Sequence, residues 1–269
     1  NTSSLPEVVG RADDLFDPTD LAAMATMIER VLTDTAWRTE LEAHGLRQAR
    51  TFSWEDTARR TLQALERAFA APSPSARTAP DHSRKPRLAF VSPLPPLPSG
   101  IADYSADLLP ALAEHYEIDL ILDQAELTDP WAAEHLPKRT VDWFRAHAHH
   151  FDRVLYHFGN SQFHQHMFDL LADIPGMVVL HDFFLSGIQT HMGAENWTRA
   201  LLESHGAQAL AAVADGGDGG DGAGGTWTYP ANLAVLQNAT GVIVHSEWSR
   251  TLADRWYGPG TARAWSVIP

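Results

Sequence analysis

Residues 87–122 read RLAFVSPLPPLPSGIADYSADLLPALAEHYEIDLIL. Arg87 to Val91 is a short apolar run, the pattern of a strand buried on both faces. Pro93 to Gly100 is a proline-rich loop. From Ile101 to Ala113 the apolar positions Leu108, Leu109 and Leu112 recur at helical spacing. Ile118 to Leu122 is a second strand. Strand, loop, helix, strand is the unit from which parallel sheets are built.

The alternation continues downstream. Val154–Phe158 predicts a third strand, Gln162–Leu171 a helix, and Met177–Leu180 a fourth strand ending at His181. A long helical region follows to about Ala214. Ala231–Ala239 predicts a helix, Gly241–Val244 a strand and Ser246–Trp256 a helix. Trp265–Pro269 has the character of a further strand. The expected fold is α/β, a Rossmann-like parallel sheet with helices on both faces. The stretch from Asp123 to His150 is poorly determined, apart from a helix over Val141–His147.

Upstream, residues 1–70 are helical. Asp17-Pro18-Thr19-Asp20 predicts a helix start with Asp17 as the cap. Leu21, Met24, Ile28 and Val31/Leu32 then line one face. A second helix runs from Asp34 through Trp37 and Leu41 towards Gly45. Ser53 caps a third, whose stripe is Ala58, Thr61/Leu62, Leu65 and Phe69. Residues 71–86, rich in Pro, Ser and Ala, read as a linker. The expected domains are therefore a helical tail at 1–70, a linker at 71–86, and a Rossmann-like domain at 87–269. The glycine-rich run Asp215–Gly225 lacks the Gly-Lys-Ser/Thr ending of a phosphate-binding loop and reads as a surface loop.

The chain of 269 residues carries 34 acidic and 20 basic residues, a net charge of −14. That field repels nucleic acid and anionic lipid. Cysteine is absent, which removes disulfides, thiolate nucleophiles and thiolate-bound metals. A hydrophobic content of 44% argues for a folded core. No apolar run reaches the roughly 20 residues of a membrane span. These features predict a cytoplasmic protein without a transmembrane segment, with peripheral membrane contact left open.

Ligands of open α/β sheets bind at the carboxyl ends of the strands. That rule selects Gly100, at the start of a helix where an anion can approach its N–H, together with Ser99 and Asp103 in the same loop. It also selects His181-Asp182, Asn160 and His245-Ser246, each at a strand end. A histidine there can hydrogen-bond a hydroxyl group or titrate near neutrality. His147, His149, His150, His164 and His166 lack a metal-binding spacing and read as solvated surface residues.

Two regions resemble the family 4 retaining glycosyltransferases of GT-B architecture. "NTSSLPEVVGRADDLFDPTDLAAMATMIERVL" and "RQARTFSWEDTARRTLQALERAF" in residues 1–70 resemble the carboxyl-terminal end of one copy. "RLAFVSPLPPLPSGIADYSADLLPAL", "VLYHFGNSQFH", "VVLHDFFLSG" and "GVIVHSEWSRTLADRWYG" in residues 87–269 resemble the amino-terminal, acceptor-side domain of a second. The resemblance implies transfer of a sugar from a nucleoside diphosphate sugar to an acceptor hydroxyl, with retention. It implies no cofactor and no metal, the nucleotide sugar being a co-substrate. It makes His181 the catalytic-site residue and places Ser99, Gly100, Asp103, Asn160, Asp182, His245 and Ser246 along a substrate-binding cleft.

The family's Glu-x7-Glu motif belongs to a donor domain upstream of the opening stretch, and Glu7 is not one of that pair. The expectation is a segment of a tandem enzyme, inactive alone, whose partners include the parent chain's donor domains, a nucleotide sugar and a glycan or other hydroxyl acceptor. Two alternatives are a degenerate, non-catalytic scaffold and a sugar-nucleotide epimerase. The family's last helix crosses back onto the amino-terminal domain. Residues 53–69 are therefore expected to pack on 87–269 through Leu62, Leu65 and Phe69.

Overall fold

The structure, a computed structural model, describes residues 3–70, 84–214 and 227–269. Residues 71–83 of the expected linker and the glycine-rich run at 215–225 lie outside the described residues. The chain opens with four helices: α1 (Leu5–Val9), α2 (Leu21–Thr33), α3 (Thr35–Ala49) and α4 (Trp54–Ala70). The alternating part begins with β1 (Arg87–Val91), α5 (Gly100–Ala113), β2 (Glu117–Leu122), α6 (Pro130–His135), β3 (Lys138–Thr140) and α7 (Val141–His147). It continues with β4 (Arg153–Phe158), α8 (Met167–Asp173), β5 (Met177–Leu180), α9 (Ser186–His191) and α10 (Ala194–Ala214). It closes with α11 (Leu233–Asn238), β6 (Gly241–Val244), α12 (Glu247–Tyr257) and β7 (Ser266–Val267).

The strands form one parallel sheet in the order β3-β2-β1-β4-β5-β6-β7. This is the doubly wound arrangement, with its reversal of direction between β1 and β4. Alternate strand residues serve opposite faces. Leu88, Phe90, Leu120 and Leu155 point into a core with Leu109, Leu112 and Leu65. Ala89, Val91, Tyr156, Phe158, Val178 and Val244 point into the other, with Phe144, Leu170, Ile188 and Leu252. The apolar strands were readable because burial on two faces demands apolar residues at successive positions.

α4 covers part of the first core. Ala58, Ala64 and Leu65 join Leu155, Met177, Val179, Ile243 and Ile268 there, and α4 packs beside α5 and against β6 on that face. Leu65 is buried, while Leu62 and Phe69 are half-buried. The helix is fixed electrostatically as well. Glu66 accepts two hydrogen bonds from the Arg153 guanidinium, at 3.0 and 2.7 Å, and one from the Tyr116 hydroxyl at 3.2 Å. The Arg153 guanidinium also stacks on the Phe69 ring at 3.4 Å.

Several expected boundaries move, each for a local reason. Asp17 does not cap α2, because its carboxylate is turned to the Thr19 N–H at 2.8 Å and the Thr19 hydroxyl at 2.7 Å. Asp20 caps instead, accepting from Ala22 and Ala23 at 2.9 and 3.0 Å. The apolar face of α2 is only partly covered: Met24 and Val31 are half-buried, while Leu21, Ile28 and Leu32 are exposed. α3 passes through Gly45 to Ala49. The helix expected over Gln162–Leu171 is split into a 3-10 turn at Gln162–His164 and α8. The long helical region is divided between α9 and α10, and Gly206 breaks α10 with φ 77°. β3 and α6 fill the segment that the sequence left undetermined.

Candidate functional site

The carboxyl ends of β4, β5 and β6 bring three imidazoles into one line. His157 lies in β4, His181 follows β5 and His245 follows β6. His157 Nδ1 is 3.0 Å from His181 Nε2, and His181 Nδ1 is 3.1 Å from His245 Nε2. His245 Nδ1 is 2.8 Å from the Ile268 carbonyl oxygen. The Tyr104 ring, from the second turn of α5, covers the line at centroid distances of 4.9 Å to His181, 5.3 Å to His245 and 5.9 Å to His157. Trp54, the first residue of α4, packs edge-on to Tyr104 at 5.0 Å. α4 therefore reaches the edge of this site.

Burial governs the electrostatics. His157 is fully buried, and desolvation pushes its pKa down to about 3. Burial likewise lowers His181 well below the ordinary imidazole range and lowers His245, against the opposing pull of the Ile268 carbonyl. Burial thus favours the neutral form of all three rings.

Asn160 and Asp182 brace the adjacent loops. The Asn160 N–H donates to the Asp182 carboxylate at 2.8 Å, and its side-chain oxygen accepts from the Ile188 N–H at 2.8 Å, near the start of α9. Gly159 makes this close approach available. A Cβ there would overlap the Ile101 side chain and sit 3.0 Å from the His164 ring and 3.2 Å from the Asp182 carboxylate. Gly159→Ala is expected to cost about 2 kcal/mol, as overpacking does. A urea midpoint unchanged from the parent chain would show that the loop yields instead.

The remaining sequence-selected residues lie around this centre. Ser99 caps α5, its hydroxyl accepting from the Ile101 N–H at 3.3 Å. Gly100 and Asp103 are exposed in the first turn, and a Cβ on Gly100 would meet only open space. No steric demand within the protein requires glycine at that position. Ser246 is buried as the cap of α12 and accepts from the Ser249 N–H at 3.4 Å. Both oxygens of Glu7 accept from the next N–H, that of Glu247, at 3.1 Å. The start of α12 is thus occupied by a carboxylate from the far end of the sequence, as the helix dipole favours.

Three histidines, His147, His164 and His166, depart from the expected solvated state. His164 is buried beside Ser161, and desolvation pushes its pKa down to about 4. His166 is half-buried, 3.5 Å from Asp123. The turn at 162–164, in place of a regular helix, points His164 inwards. His147 stacks on Trp143 at 4.3 Å. Among the described residues, no group of three or more His, Asp or Glu side chains is arranged to hold a metal ion.

Sequence reasoning missed His157 and Tyr104. His157 alternates with Tyr156 and Phe158 in an otherwise apolar strand. A polar side chain at such a position is buried and has to find a partner, and that was the available signal. A cavity of about 450 Å3 adjoins the strand ends, lined by Ser92, Pro96, Asp123, Glu126, Phe163 and His166 among others. No helix among the described residues is long and apolar enough to cross a membrane.

Comparison with known proteins adds a partial likeness. No family model matches the chain, and no solved structure matches it. Over 67 residues the chain is 42% identical to the serotype-specific mannosyltransferase WbdA of Escherichia coli, covering 25% of this chain and 8% of that protein. Over 66 residues it is 45% identical to the O-antigen chain mannosyltransferase B of Escherichia coli, covering 24% of this chain and 17% of that protein. A D-inositol 3-phosphate glycosyltransferase from Nocardioides sp. is 46% identical over 61 residues, 23% of this chain and 13% of that protein. The chain thus spans less than a fifth of the length of these curated relatives. Over about a quarter of its own length, this chain is homologous to glycosyltransferases.

Proposed function

We propose that this chain supplies the acceptor side of a retaining glycosyltransferase of GT-B type, with the donor nucleotide sugar held by a domain outside residues 1–269. The observation that carries the reading is the partial homology to glycosyltransferases. The convergence of His181, Asn160, Asp182 and His245 at the carboxyl ends of β4–β6 supports it.

On this reading His181 faces the sugar at the strand ends. Asn160 and Asp182 hold the neighbouring loops, and the exposed first turn of α5 at Gly100 faces the donor phosphates. The cavity beside Asp123, Glu126 and His166 offers acceptors and donors for the hydroxyl groups of a glycan. Leaving-group charge is met by helix dipoles and by basic groups of the donor domain, with no bound metal.

The test compares this chain with a longer parent polypeptide that includes a donor domain. The chain alone is expected to bind a glycan acceptor weakly and to release no nucleoside diphosphate from a nucleotide sugar. The longer polypeptide is expected to transfer the sugar, and His181→Ala to lower that transfer on the order of a hundredfold, because the ring that positions the sugar is lost. Turnover by the chain alone would sink the divided-site reading. Unchanged transfer by the His181→Ala protein would favour a non-catalytic scaffold role for this segment.

A further inference from the structure

We propose that His157, His181 and His245 form a proton-ordered chain of three neutral imidazoles, each carrying its hydrogen on Nδ1. In it, His157 and His245 are positioning residues that fix the tautomer of His181. The order starts from one group. The Ile268 carbonyl can only accept, so the His245 nitrogen 2.8 Å away, Nδ1, carries a hydrogen. A neutral imidazole has one N–H and one bare nitrogen. His245 Nε2 is therefore bare and accepts, at 3.1 Å, from His181 Nδ1–H. His181 Nε2 is bare in turn and accepts, at 3.0 Å, from His157 Nδ1–H.

The far end of the line agrees. His157 Nε2 is buried and has no hydrogen-bond partner. In this order it is a bare nitrogen. The reverse order would bury an unpaired N–H there and set the His245 lone pair against the Ile268 oxygen. Both changes cost free energy.

The surroundings hold the rings neutral. The Tyr104 and Phe90 rings pack on the line, Tyr104 in T-shaped contacts with His181 and His245 and Phe90 at 4.6 Å from His157. Besides one another, the groups whose charge acts on these rings are His164 and Asp182. A protonated His181 would need an acceptor at both nitrogens. It has one in His245 Nε2, but His157 turns an N–H towards the other. The lowered pKa of all three rings follows the same direction.

Both nitrogens of His181 are thus committed within the protein. Granting the sugar-transfer reading above, His181 meets the sugar as a fixed, uncharged ring and takes no proton from the acceptor hydroxyl. The ring order itself does not depend on that reading.

The experiment is imidazole nitrogen NMR on the full 269-residue chain, without substrate, with the three rings assigned through their contacts to the Tyr104 ring. The wild-type chain is expected to show all three as Nδ1–H tautomers, with no titration of His181 between pH 5 and 8. An Nε2–H tautomer, a doubly protonated ring at pH 7, or a His181 midpoint near 6.5 would overturn the proposal. Two variants test the direction. His157→Phe removes the last ring of the line and should leave His181 as Nδ1–H. His245→Phe removes the link to the Ile268 carbonyl and should turn His181 and His157 into mixtures of tautomers. Equal responses to the two variants would also overturn it, since simple packing has no direction. If His245→Phe does not fold, the wild-type spectrum still decides. A chain with the expected tautomers that binds no sugar would remove the proposed function and leave this ordering standing.

Discussion

A chain that begins at Arg84 is expected to lose its cooperative unfolding transition and to aggregate. The reason lies in α4. That helix buries Thr57, Ala58, Thr61, Ala64 and Leu65 against the sheet. It shares one core with Leu155, Met177, Val179, Ile243 and Ile268, which sit on one face of β4, β5 and β6 and at the end of the chain. Burying Leu65 alone contributes about 2 kcal/mol. Adding the smaller side chains and the Glu66–Arg153 pair brings the helix to on the order of 5 kcal/mol or more, comparable with the whole stability of many domains, about 5–15 kcal/mol. The exposed strip would be a contiguous apolar patch, which drives association. The measurement is thermal unfolding followed by circular dichroism, with light scattering. Adding a peptide of residues 53–70 in trans is expected to restore part of the transition. A truncated chain that melts cooperatively within a few degrees of the full one would show that α4 is dispensable.

Glu66→Ala is expected to destabilise the full chain by about 3 kcal/mol, because the buried Arg153 guanidinium loses its ion-pair partner. The Arg153 side chain is 4% exposed and cannot turn out to water without leaving Phe69 and the start of β4. Glu66 is itself 42% exposed, which places the cost at the low end of the buried-pair range. Glu66→Gln keeps an oxygen for one guanidinium N–H and is expected to lose about half as much. Urea unfolding of the three proteins checks the order. A Glu66→Ala chain within 0.5 kcal/mol of the parent (roughly the size of an ordinary surface substitution) would mean that Arg153 finds another partner.

Both predictions concern a contact that crosses the expected linker. The Pro- and Ser-rich composition of 71–86 separates α4 from the sheet in sequence, yet α4 packs on the sheet in space. The family resemblance suggested this contact through Leu62, Leu65 and Phe69. The structure adds that Leu65 carries the burial, while Phe69 stacks on Arg153.

The sheet was legible because its strands are apolar at consecutive positions, a pattern dictated by two covered faces. β3 was not, because Lys138-Arg139-Thr140 forms a polar edge strand. α2 shows the opposite failure. Its apolar spacing is real, but Leu21, Ile28 and Leu32 stay exposed, and periodicity cannot say whether a covering partner is present.

The same division holds at the site. Sequence alone placed His181, Asn160 and His245 at strand ends, because each follows a short apolar run with the length and composition of a buried strand. Only the tertiary structure decided that His157 joins them, that Tyr104 covers them, and that Ser246 is spent on capping a helix. Hydrogen-bond partners between β4, β5 and β6 depend on strand order and register, which arise from long-range packing. The direction of the proton along the three rings depends on something still less local: a single carbonyl, at Ile268, brought beside His245 by the last strand of the sheet.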